Sequence, residues 1–196
     1  MGCWSVLRRL EVIWRYSWLL GFSLFWVFLV LSISRNPWFD LRRHALNDLG
    51  DARRATDPWM YNAGLVVVGT VLCVYSLYVA YVSRGRLAVF SSALLFTAGL
   101  FLALVGVFPS GTRPHTFVST WFFVQVWLSS IPLLVDSVRS RRPTYVASMA
   151  SVSIIAPAVA YAVEALVGWP SVAILEVYGA VVVGLYLAVL AHFVRG

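Results

Sequence analysis

Among the ionisable side chains inside or at the edge of long apolar runs, Glu164, Glu176 and His115 stand out. An ionisable group in hydrocarbon is costly and is a functional candidate by default. Glu164 precedes and Glu176 follows the Gly168-Trp169-Pro170 turn, so the helices entering and leaving that turn should hold both carboxylates at one depth. His115 opens another apolar run, just after Ser110-Gly111-Thr112-Arg113-Pro114. A histidine with carboxylate partners suits general acid–base work or a metal. The polar segment between the first two apolar runs carries Asn47, Asp48 and Asp51. The sharp expectation is a pocket in which His115 is the base or hydrogen-bond partner and Asp48 and Asp51 orient it. Arg43 or Arg113 would hold an anion, and Asn47, Glu164 and Glu176 would complete the binding surface. Against it stands a plain alternative: carboxylates at span ends reach back to water, and a histidine at a helix start is a structural cap. Gln125, near the middle of its run, is expected to bond across helices. There is no metalloprotease histidine pair, phosphate-cradling glycine loop or nucleophile elbow, so neither a metal nor a cofactor is expected.

The elements that must position these groups follow from composition. Of 196 residues, 61% are hydrophobic and 12% charged, and the mean hydropathy is +0.83. Soluble domains run nearer half apolar and about a quarter charged. Six apolar stretches stand out: Tyr16–Ser34, Pro58–Val82, Leu87–Phe108, His115–Asp136, Tyr145–Val167 and Ser171–Val194. About 20 helical residues cross a hydrocarbon core of roughly 30 Å, and an isolated strand there would leave its backbone unpaired. The chain is therefore expected to be one all-α membrane domain over residues 1–196, a bundle of six transmembrane helices. No room remains for a large soluble enzyme domain. Ser32-Ile33-Ser34 would pass as a signal cleavage site, but the long segment before it favours a retained helix. Two cysteines, Cys3 and Cys73, are too few for a disulfide framework.

All 15 basic residues are arginine, against 8 acidic ones. The arginines sit in short segments between apolar runs, which points to a membrane surface and away from nucleic acid. With the N-terminus inside, nine arginines fall on the inner side and six on the outer. This predicts a multi-pass protein of the cell membrane with both termini cytoplasmic. The residues named above then gather on the outer side. Asn36-Pro37 reads as the start of an amphipathic surface helix running to Leu49 with Gly50 as its stop, its apolar face formed by Trp38, Leu41, Ala45 and Leu49. The N-terminal stretch repeats the pattern with Trp4, Leu7, Leu10 and Trp14. Pro132 and Pro157 predict kinks, and Ala180, Gly184 and Ala188 predict close helix packing.

Leu46-Asn47-Asp48-Leu49-Gly50, then Tyr61-Asn62-Ala63-Gly64-Leu65, then Gly106-Val107-Phe108-Pro109-Ser110-Gly111 ending in His115 carry a resemblance. Over roughly residues 15 to 195 the chain resembles the family catalogued as domain of unknown function 998, small polytopic membrane proteins common in archaea and bacteria. The resemblance supports six helices and marks Asp48, Gly50, Asn62, Pro109 and His115; it implies no activity. Where Asn47 stands the family usually shows Ser, and an amide cannot act as the nucleophile that a serine could.

Two classes of function stay open. One is a protein with an outward-facing polar pocket that binds a lipid headgroup or small polar molecule, with turnover undecided. The other is a non-catalytic subunit or scaffold that docks another membrane protein. Membrane lipids are partners in either case. Transport is weaker, since no pair of glycine-broken half-helices supports it.

Overall fold

The computed structural model describes residues 2–193, with side chains from residue 13 onward. Six helical segments among them are long and apolar enough to cross a membrane. Helix α1 covers Gly2–Arg35, α2 Pro58–Val82, α3 Arg86–Val107 and α4 His115–Arg139. The fifth span is made of α5 (Pro143–Ala150), a π turn (Ser151–Ile155) and α6 (Ala156–Leu166); α7 (Val172–Phe193) is the sixth. By length and composition the candidate spans are Ile13–Arg35, Pro58–Val82, Arg86–Val107, His115–Arg139, Pro143–Leu166 and Val172–Phe193. Six crossings put both termini at one end of the bundle, the terminal end. The segments 36–57, 108–114 and 167–171 lie at the other, the loop end. The N-terminal stretch continues α1 without a break; Trp4, Leu7 and Leu10 lie outside the described side chains.

The surface helix expected between Asn36 and Leu49 is not there. Residues 36–45 form consecutive turns, and a single 3₁₀ turn spans Leu46–Gly50. Asx side chains that bond locally compete with helix, and they win here. Asn36, 1% exposed, turns its amide back to the Ser32 carbonyl at 2.8 Å and accepts from Thr56 N–H at 2.8 Å across the loop. Asp40 takes the Arg42 N–H at 2.8 Å, and its own N–H donates to His44 Nδ1 at 2.9 Å.

Between lipid-bathed helices there is no hydrophobic gain from association, so close packing relies on small residues and hydrogen bonds. The α2–α3 seam is built that way. A Cβ on Gly69 would lie 2.5 Å from Ala103 N and 2.6 Å from the Gly99 carbonyl, and a Cβ on Gly106 would run into the Asn62 carbonyl. Cys73 is buried in the same seam, as its apolar surroundings in the sequence predicted. Lower down, Ser91 Oγ donates to the Ser129 carbonyl at 2.6 Å, and Ser129 Oγ meets Tyr186 Oη at 3.0 Å, joining α3, α4 and α7.

Pro132 stands inside α4, which continues through it. Pro157 follows the π turn; it has no N–H for the Ser153 carbonyl one turn earlier. Trp127 Nε1–H takes that acceptor at 2.8 Å. Gly184 allows α7 to meet Phe22 of α1, where a Cβ would strike the ring. This fulfils the packing expected of the Ala180-Gly184-Ala188 line at its central position.

Candidate functional site

At the loop end of α7, hydrogen bonds join residues 130 apart in the chain. Ser171 caps the helix: its Oγ accepts from Ile174 N–H at 3.1 Å and donates to the Leu41 carbonyl at 2.6 Å. Two residues further, Ala173 N–H reaches the His44 carbonyl at 3.0 Å. The first N–H groups of a helix have no partner within it, and here the first loop supplies one. Glu176 then faces the 3₁₀ turn. Its Oε2 accepts from Leu46 N–H at 2.7 Å, and its Oε1 accepts from Asn47 Nδ2 at 2.6 Å. Tyr61 Oη lies 3.4 Å from Asn47 Oδ1, a long contact. From α2, Asn62 Nδ2 donates to the Gly50 carbonyl at 3.0 Å, and a Cβ on Gly50 would collide with that amide.

Beneath this roof lies a slot bounded by α1, α2, α3, α4 and α7. Its walls include Phe22, Phe25, Leu65, Val68, Phe122 and Val183, with Glu176, Asn47, Tyr61 and Ser119 at the loop end. It follows α2 from Tyr61 to Leu72 and α7 from Glu176 to Leu187, roughly 16 Å at 1.5 Å per residue. The centre of a water-sized sphere has about 90 Å³ to move in, so the slot is long and narrow. Trp18 closes the deep end, and its indole N–H is buried without an acceptor among the described residues.

The other residues named from sequence are placed differently. Asp48 takes the Ala45 N–H at 3.1 Å and pairs with Arg54 at 3.1 Å, which holds the 3₁₀ turn in shape. Asp51, 4% exposed, accepts from Arg53 Nε at 3.0 Å and Arg53 N–H at 2.9 Å and pairs with its Nη2 at 2.8 Å. These bonds to Arg53 hold its carboxyl at about 2, below the ordinary 3.8. Its contribution to the loop is therefore complete above about pH 4 and fades as pH falls toward 2. The Arg53 guanidinium also lies over Gly111, whose φ of +88° and lack of a Cβ admit it. Arg43 is exposed and pairs with Asp40 at 3.4 Å. Arg113 and Glu164 are exposed.

His115 Nδ1 lies 2.8 Å from the Phe108 carbonyl and closes the α3–α4 loop. A carbonyl only accepts, so Nδ1 carries the proton. Among the described residues no hydrogen bond or ion pair joins His115 to Asp48, Asp51, Glu164 or Glu176. The structure thus brings Glu176 together with Asn47, and Asp48 and Asp51 with their loop arginines. It leaves His115 and Glu164 apart from both groups. Sequence reasoning passed over Tyr61, Ser119, Trp18, Ser171 and His44. Ser171 had a signal, as a serine just before an apolar run and after Pro170. The others had none beyond their residue type.

Bundle and slot define a polytopic membrane protein with a roofed, largely apolar slot among its helices. The family model for a protein of unknown function, DUF998, matches residues 19–192, and the chain belongs to that family. Comparison with curated proteins and with solved structures finds no match.

Proposed function

We propose that this membrane protein binds a single-chain amphiphile, with the chain in the slot and the head at the Glu176–Asn47 roof. One observation carries the reading: a narrow apolar slot ends in a carboxylate and an amide held in place by the loop above them. Ligand sites have this composition, apolar walls with few fixed polar groups. Following the arginine bias, the loop end is the outer face of the cell membrane and both termini are cytoplasmic. The site is a binding site in this reading, and no step of turnover is assigned to it.

Mass spectrometry of what co-purifies in mild detergent tests the proposal. A defined amphiphile should accompany the wild type and be depleted in Ala180→Leu, which adds bulk to the slot wall. His115→Ala should retain it, because His115 lies outside the slot. The same bulk lipids in all three samples would overturn the proposal. The scaffold reading has its own support: α6 contains no buried residue, so the fifth span offers the most uncovered surface. A stoichiometric protein partner with an empty slot would favour that reading.

A further inference from the structure

We infer that the head received at the roof is a protonated primary amine, a conclusion that rests on the slot reading and names its ligand class. The hydrogen-bonding inventory of the roof is one-sided. Most of its donors are committed: Leu46 N–H and one Asn47 Nδ2 hydrogen to Glu176, and Ser119 Oγ to the Thr116 carbonyl at 3.2 Å, while Tyr61 Oη makes only a long contact to Asn47 Oδ1. Acceptor capacity is what remains. A carboxylate offers about four lone-pair sites, and two are taken; the Asn47 carbonyl and the Ser119 hydroxyl oxygen add more. Ser119 and Glu176 each lie about one turn inside their helices and Tyr61 just under one, so the three sit at a common depth.

Charge points the same way. Both oxygens of Glu176 receive N–H donors, which favours the charged form. No cation lies within ion-pair distance of it among the described residues. Four of the six loop-end arginines are held by aspartates, Arg35 by Asp57, Arg43 by Asp40, Arg53 by Asp51 and Arg54 by Asp48; Arg42 and Arg113 are exposed and form no ion pair with Glu176 among the described residues. A partly buried carboxylate without a counter-ion is costly. An ammonium with three N–H donors supplies both the charge and the donors, and its alkyl chain matches the slot. A fatty acid would place like charges together, and an alcohol offers one neutral donor.

Native mass spectrometry on the protein in phosphatidylcholine nanodiscs tests this with dodecylamine, dodecanol and dodecanoic acid as probes, corrected for partition into protein-free discs. Charge-assisted hydrogen bonds are about twice as strong as neutral ones, so dodecylamine should bind the wild type about tenfold tighter than dodecanol, with dodecanoic acid weakest. Glu176→Gln should bring the amine down to the level of the alcohol, and Glu176→Asp should keep part of the preference. If Glu176→Gln fails to fold, the order of the three probes on the wild type still decides. Equal binding of amine and alcohol to the wild type, or an amine preference that survives Glu176→Gln, would overturn the amine assignment. The slot reading would survive that result provided that Ala180→Leu still weakens every probe. No binding of any probe, or equal binding by Ala180→Leu, would overturn the slot reading itself.

Discussion

The α2–α3–α4 side and the α7 side of the bundle are assembled by different means. Along α2 and α3, glycines at 69, 99 and 106 bring backbone against backbone, and the seam has no space to give. Helix α7 is fastened mainly near its two ends. At the loop end, Ser171, Ala173 and Glu176 bind the first loop. Toward the terminal end, Tyr186 meets Ser129, and Tyr145 Oη donates to the His192 carbonyl at 3.0 Å. The slot lies between these fastenings and runs from Glu176 to Leu187. Lipid rewards contact between helices only where surfaces interlock. A helix tied at its ends and lined with aromatic and branched side chains can therefore leave a gap without collapsing it.

The sharpest way to break this contrast is to add bulk to the seam. In Gly69→Val the new Cβ would be pressed onto Ala103 and Gly99 backbone atoms, which cannot swing aside. The expected cost is about 3 kcal/mol. It should be read as a loss of monodisperse protein and a large drop in unfolding temperature. Gly85→Ala, where nothing lies within 4 Å, should stay within about 0.5 kcal/mol of wild type. Comparable stability for the two variants would mean that the seam is not the rigid part.

A smaller effect is expected at the roof. Glu176→Ala leaves Leu46 N–H and the Asn47 amide without their acceptor, at a cost of about 2 kcal/mol for buried donors left unpaired. The loss should be local. Hydrogen exchange at Leu46 and protease cleavage within residues 36–57 should both rise, while exchange along α2 and α3 stays as it was. Glu164→Ala, the matching carboxylate on the exposed end of α6, should change neither. Identical behaviour of the two variants would show that the loop does not depend on Glu176.

How much of this was legible in the sequence differs by level. The six spans were legible because length and hydropathy settle a membrane helix within a few residues. The depth of Glu176 followed from the turn at Gly168. Its difference from Glu164 did not, since Glu176 is received by Leu46 and Asn47, about 130 residues away in the chain, whereas Glu164 is exposed on α6, which buries no residue. The surface helix failed because an apolar stripe at helical spacing was weighed without the local bonds that Asn36 and Asp40 make. The slot itself was not legible, because a gap is a property of five helices together.

The smallest expected effect concerns the fastening of α7 toward the terminal end, where Tyr186 Oη meets Ser129 Oγ at 3.0 Å and Ser91 Oγ at 3.2 Å. Tyr186→Phe removes the hydroxyl and almost no volume. Both serines keep another acceptor, Ser91 in the Ser129 carbonyl and Ser129 in the Val126 carbonyl at 2.6 Å. No buried donor is stranded, and hydrogen bonds between membrane helices average about 0.6 kcal/mol. The expected change in unfolding free energy is therefore about 0.6 kcal/mol, measured by steric trapping or reversible denaturation in micelles. Amphiphile binding should be unchanged, since Glu176 and the slot walls stay in place. A loss several times larger, accompanied by loss of binding, would mean that the fastening at Tyr186 holds the slot open and that α7 depends on it more than on the roof.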